Sequence, residues 1–543
     1  AARICRRRAR HGTMRAVRLP NPIAALLAVS GVGAALLPAC AERAARAPAQ
    51  QARGVPATAA DGDPRTNTHP GSAARAAYQR SEIPGPPSAA QMEAALAEFF
   101  GAGYPPAPEA SPHGRVGSRT WGTWIQPVPR SGALPLGSIR EGSSLPLLSA
   151  DPLPGQGKCS EFVQVKLGVV CVGGRSTLDM DSDWMRAGRW TTPAPGPVPY
   201  HYAMSVGAPM LTAPVPEAEF VWKIGMRDIA KMRGWNAGHD ELAQDAPIVA
   251  NGPVPDFLQR GGRTPMPWGP AKGIYKKMAP KGVMLAYTRA FEAHGRTWVL
   301  TTDMSVVPAE GLKRFAVSDF SGTELSDGAR LPIAYMRPGA QPKWRKTETG
   351  FEKSDATWPH QGWVGLTGTM EKHAGKRFYE TRDGGLYIEK SSARLIEKKK
   401  PPWEAKGKRW IHIRVNRGTL VLYDGAEPVF ATLMSPGKED ATPYGRYWVE
   451  SKHHVSTMTT ESGDPKRSWI ADVPWTTYFK RPYAIHAAYW HSDFGERKSG
   501  GCVNLSPLDA KRVFEWIEPE LPVGWGSVQA YGMGAKTFVL VEG

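Results

Sequence analysis

The sequence predicts a mainly β protein that ends in a mixed β domain with one short helix. Two observations carry this. Fifty prolines and 58 glycines in 543 residues require many turns. Between residues 151 and 405, short apolar runs alternate with Gly, Pro and Asp turns, as half-buried strands do. A chain of this length exceeds one ordinary core and divides into several domains. Its 19 tryptophans are first of all core residues; carbohydrate or peptide clefts are the alternative use.

The N-terminal elements read as targeting rather than fold. Residues 1–13 precede a plausible start at Met14. Arg15 and Arg18 then lead into the apolar run Ile23–Leu37, of 15 residues. That is short for a bilayer span and right for a signal-peptide core. The run closes in "LLPAC", which resembles a bacterial lipoprotein lipobox and implies lipidation of Cys40. A plain secretory signal is the alternative. Residues 1–39 are thus assigned to upstream sequence and signal peptide, and 40–150 to a lipid anchor and flexible tether. The tether is rich in Ala, Pro, Gly and Ser, with "QMEAALAEFF" (91–100) as its one helical candidate.

Residues 151–405 form a β-rich accessory region. "GRTWVLTTDMSVV" from Gly295 and "GKRFYETRDGGLY" from Gly375 look alike at an offset of 80 residues. Both resemble the ending of Src-homology-type small β-barrels. Two barrel-like binding modules and a structural spacer both stay open. "MRDIAKMRGW" from Met226 is a helix candidate, and "LIEKKKPPWEAKGKRW" (395–410) reads as a linker. Residues 408–542 are expected to be one compact domain, opening with "RWIHIRV" and "GTLVLYDG" and closing with "KTFVLVE". The helix "SPLDAKRVFEWI" has Ser506 as N-cap, Pro507 at its first position and Asp509 completing a capping box.

The formal charge is +18. Residues 1–39 hold seven arginines and no acid, so the remainder keeps +11. A basic surface suits an anionic partner such as an acidic wall polymer. There is no zinc-ligand spacing, Walker loop or RNA-binding signature, so nucleic acid is not expected as a partner.

Export changes how the cysteines read. Cys159 and Cys171 bracket two strand-like runs and are expected to pair in an oxidising compartment. Cys502 then stands alone behind Gly500 and Gly501, just before the capped helix. A lone thiol with no second ligand set is a poor metal site, so no metal is expected. An inert buried thiol is the bland alternative. A nucleophile would need a base, and His486 and His491 lie 16 and 11 residues upstream. The two glycines let backbone amides approach a reacting oxygen.

The stretches "AIHAAYWHSDFG" and Ser499-Gly500-Gly501-Cys502-Val503-Asn504, with Thr442-Pro443-Tyr444-Gly445 and the strand pair Ile411–Gly425, resemble the YkuD-type L,D-transpeptidases. Two departures stand out: Gly500 replaces a usual histidine, and Ala487 a usual glycine. The resemblance implies a YkuD-like β-sandwich and acyl transfer on peptidoglycan stem peptides, with no cofactor. Cys502 is then the nucleophile, His486 the proton donor and acceptor, and His491 a supporting residue. Gly501 and Cys502 amides would hold the oxyanion. Tyr489, Trp490 and Ser499 would shape the cleft, and Asn504 would tie the motif loop to the strand below. A cell-wall cysteine peptidase or carboxypeptidase, or a non-catalytic wall-binding lipoprotein, are the rivals. The expected setting is a monomer in the cell envelope or periplasm, held to a membrane by its lipid.

Overall fold

The computed structural model describes residues 86–543 except 121, 225–234, 267–272, 327 and 461–467. The signal peptide, Cys40 and most of the 226–235 helix candidate lie outside the described residues. Strands dominate, as expected. Among the described residues no helix is long and apolar enough to cross a membrane.

The tether expectation is corrected over much of its length. Ser88 caps a helix at Ala89–Gly101 through a full capping box with Gln91. Met92, Leu96 and Phe100 line one stripe of it and are buried. Strands Arg115–Ser118, Thr123–Gln126, Gly137–Ile139 and Ser144–Pro146 follow, with Val116, Ile125 and Ile139 fully buried. Each strand gives only one or two apolar residues to a core shared with Val163, Val170, Trp525 and Val528. A sequence window over so few apolar residues therefore looks like linker. Gly137 sits where the chains nearly touch: a Cβ there would lie 2.1 Å from the Ser527 carbonyl oxygen.

Cys159 and Cys171 are disulfide-bonded around the hairpin Glu161–Val165 and Gly168–Cys171. Reduction would release a loop constraint of roughly 3 kcal/mol.

The two look-alike segments follow the same path. In the first, His201–Ser205 pairs with Met284–Ala293, which turns into Arg296–Thr301 and then Val306–Pro308. A 3-10 turn at Ala309–Gly311 leads to Leu312–Phe315, which pairs back onto His201–Ser205. In the second, Ile333–Met336, Trp363–His373, Lys376–Thr381 and Leu386–Glu389 repeat the course. A 3-10 turn at Lys390–Ser392 again precedes the returning strand, Ala393–Ile396. Both hairpins turn through paired positive φ values, at His294–Gly295 and Ala374–Gly375. The sheets stay open rather than closing into barrels. In the second segment an extra hairpin, Gln341–Thr347 with Gly350–Trp358, occupies one edge of a seven-stranded sheet.

The C-terminal region opens with Arg409–Arg414, paired with Thr419–Asp424 on one side and with Phe538–Glu542, in parallel, on the other. Ile411, Ile413, Leu420 and Leu422 pack against Val503, Leu505, Val513 and Phe514. The region is not self-contained. Its strand Trp525–Gln529 pairs with Gly137–Ile139, and Thr323–Glu324 adds an edge to its six-stranded sheet.

Burial also predicts a pH response. His201, His412, His453, His454 and His486 are each pushed down to about 4, and His491 to about 3, with burial the first cause. Unfolded histidines take their protons near pH 6.5. Between about pH 6.5 and 4 the unfolded chain therefore binds more protons, and stability falls as pH falls. Asp509 and Glu141, both raised to about 7 by burial, act in the opposite sense and offset part of the loss. The urea midpoint is expected to be lower at about pH 5 than at about pH 7. A midpoint that rises on acidification contradicts this balance.

Candidate active site

Two adjacent parallel strands bring the candidate residues together. Tyr483–Ala487 runs beside Val503–Leu505, with Ile485 opposite Val503 and His486 opposite Asn504. Cys502 therefore enters its strand one residue before that register, at the level of Ala484. It is the one free cysteine among the described residues and is half-buried. Burial pushes its thiol up to about 11, against a backbone hydrogen bond from Ala484 that favours the thiolate. The helix Pro507–Trp516 follows at once. Ser506 Oγ accepts from Asp509 N at 3.1 Å, and Pro507 takes the first turn. The buried Asp509 carboxylate accepts from Gly322 N at 2.8 Å and from Thr432 Oγ1.

One hydroxyl fastens the turn before the cysteine. Ser499 Oγ donates to the Cys502 carbonyl at 2.6 Å and accepts from Gly501 N at 3.0 Å. Lys438 N donates to Ser499 O at 2.9 Å. Gly501 has φ 134°, and a Cβ there would meet the Tyr483 ring at 2.4 Å and the Ala441 carbonyl oxygen at 2.9 Å. Gly500 is exposed, and a Cβ there meets nothing within 4 Å. The two glycines thus differ: one is required by close approach, the other stands in open space.

His486 is buried, with Nδ1 2.9 Å from the Ala487 carbonyl oxygen. A carbonyl only accepts, so Nδ1 carries the proton and Nε2 keeps the lone pair. His491 Nε2 lies 3.2 Å from Asn504 Nδ2. Its Nδ1 and the Asn504 Oδ1 are buried without partners. His491 is held down first by burial, then by Lys498, His239 and His486, with Asp493 opposing. Asn504 also exchanges backbone hydrogen bonds with Ser435, at 2.8 and 2.9 Å. It therefore joins His491 to the strand that follows Cys502.

Tyr489 and Trp490 do not line a cleft. They are 1% and 3% exposed and belong to the core. Tyr489 stacks on Tyr202 with ring centroids 3.7 Å apart, and Trp490 stands between His486 at 5.9 Å and His239 at 5.7 Å. An aromatic pair beside a histidine reads in sequence as a cleft wall. Here it is the seam to the accessory region. A cleft of about 700 Å³ lies elsewhere, beside Arg140, Lys452 and Trp525, and includes neither His486 nor Cys502. Among the described residues no cluster of His, Cys, Asp and Glu could hold a metal ion.

Residues 408–526 match the family model described as YkuD, the L,D-transpeptidase catalytic domain. The C-terminal domain is of the YkuD family. His486 and Cys502 both fall inside that match. No curated protein matches the chain. Among solved structures, the chain is similar to an L,D-transpeptidase from Stackebrandtia nassauensis at 21% identity, over 25% of this chain and 55% of that one, with a TM-score of 0.18. The chain thus spans about half the length of that protein. An L,D-transpeptidase from Mycobacterium smegmatis shares 17% identity, over 42% of this chain and 89% of that one, with a TM-score of 0.21. The catalytic domain of the E. faecium L,D-transpeptidase shares 21% identity, over 25% and 98%, with a TM-score of 0.20.

Proposed function

We propose that the chain is a peptidoglycan L,D-transpeptidase that uses Cys502 as its nucleophile and His486 as its base. The observation that supports this most is the placement, within the YkuD match, of the one free thiol among the described residues immediately before a strand that pairs in parallel with the strand holding a buried, neutral histidine. Cys502 Sγ would attack the carbonyl carbon of the third stem residue. Its proton would pass to His486 Nε2. With the thiol near 11 and His486 near 4, both are neutral at pH 7. Proton transfer then accompanies C–S bond formation rather than preceding it. The C–N bond to the terminal D-amino acid breaks, and His486 returns the proton to that amine. An amine from a neighbouring stem then attacks the thioester carbonyl and gives a proton to His486 Nε2; the C–S bond breaks, and His486 returns that proton to the Cys502 thiolate.

Gly501 N is committed to Ser499 Oγ, so the expectation of two oxyanion donors narrows to the Cys502 amide as its candidate. The YkuD assignment carries an envelope location, extracellular or periplasmic. Lipid attachment at Cys40 stays part of the proposal, as does the monomeric state. Incubation with a disaccharide-tetrapeptide and an excess of a D-amino acid tests the reaction class. The expected product is the exchanged tetrapeptide. Free tripeptide alone would assign the domain to hydrolysis.

A further inference from the structure

The connection from His486 to Cys502 is held from its own domain, by Met434 O on Gly495 N, Ser435 Oγ on the Asp493 carbonyl and Pro436 O on Lys498 N and Ser499 N, and also from outside it. Ser492, next to His491, is gripped at all three of its polar groups by three separate accessory segments. Its N–H donates to Glu241 Oε1 at 2.9 Å, its carbonyl accepts from Gln361 Nε2 at 2.7 Å, and its Oγ lies 2.8 Å from Ser318 Oγ. Glu241 Oε2 also accepts from Lys498 Nζ at 3.0 Å, one residue before Ser499. Leu242 N donates to the Trp490 carbonyl at 3.2 Å, Gln361 reaches the Phe494 carbonyl at 3.1 Å, and Arg394 pairs with Glu496. Lys498 pairs in addition with Asp493.

Such a stretch has no regular secondary structure between Ala487 and Val503. Its shape therefore rests on these outside partners together with the backbone of residues 434–438, and its shape sets where His491 and the Ser499 turn stand. We propose that Glu241 is a positioning residue of the cysteine site, and that the accessory region completes that site as well as carrying it. Among the described accessory residues, Glu241 is the one side chain bonded both to Ser492, beside His491, and to Lys498, beside the Ser499 turn. This rests on the reading of Cys502 as nucleophile.

The test uses the full chain and a carbapenem as thiol probe, with the limiting acylation rate and the half-saturating concentration measured separately. Glu241→Ala loses both contacts. It is expected to lower the limiting rate by about 10- to 100-fold, the scale of a misplaced reacting group, with the half-saturating concentration little changed. Glu241→Gln keeps an acceptor for Ser492 N and is expected to recover much of the rate. Glu241→Ala acylated at the wild-type rate overturns the inference. So does equal loss in both variants accompanied by a lowered unfolding midpoint, which assigns Glu241 to stability alone. A wild-type chain that takes no adduct overturns the Cys502 reading itself, and this inference with it.

Discussion

Alanine at His486 is expected to slow acylation of Cys502 by about 10²- to 10⁴-fold, the usual contribution of a positioned general base. The thiol sits near 11 and is almost wholly protonated at neutral pH, so it depends on an acceptor for its proton. In the proposed mechanism His486 Nε2 is that acceptor, its lone pair left available because the Ala487 carbonyl holds the proton on Nδ1. His491→Ala removes a side chain whose Nε2 is already engaged by Asn504. It is expected to slow acylation less, by about 10-fold, through loss of the Asn504 tie. Stopped-flow acylation of the two variants checks the ranking. A larger loss at His491 than at His486 reverses the assignment of the base.

The second large effect is expected at Gly501. Alanine there puts a Cβ 2.4 Å from the Tyr483 ring and 2.9 Å from the Ala441 carbonyl oxygen, at a φ of 134° that L-residues rarely adopt. The ring can give way only partly, and the carbonyl belongs to the backbone. The turn must shift, and it carries the Cys502 amide. Acylation is expected to fall by about 10²-fold or more. Gly500→His is the informative contrast. Its Cβ meets nothing within 4 Å, so the residue usual in YkuD-type relatives is expected to fit, with acylation and the unfolding midpoint close to wild type. Equal damage at both positions contradicts this division of roles.

Much of this was legible where local chemistry decides structure. Ser506, Pro507 and Asp509 announce their helix because a cap needs those residue types at that spacing. The offset between Gly295 and Gly375 discloses a shared path because each hairpin turn demands positive φ at fixed positions. Where tertiary contact decides, the sequence is silent. The strands at 115–146 are too short to alternate visibly, and their core partners lie at 163–170 and 525–528. Tyr489 and Trp490 keep their aromatic look whether they face a substrate or, as here, Tyr202 and His239. Only half of the capping box is used at its own helix, because the Asp509 carboxylate instead binds Gly322 N and Thr432. Nothing near residue 241 or 361 in the sequence connects them with Ser492.

The central claim is that Cys502 is an acylatable nucleophile served by His486. Intact-mass measurement of the full chain after incubation with a carbapenem, followed by peptide mapping, tests it most directly. The account predicts one adduct, mapped to Cys502, lost in Cys502→Ala and strongly slowed in His486→Ala. A wild-type chain of unchanged mass, or an adduct mapped to any other residue, would contradict it.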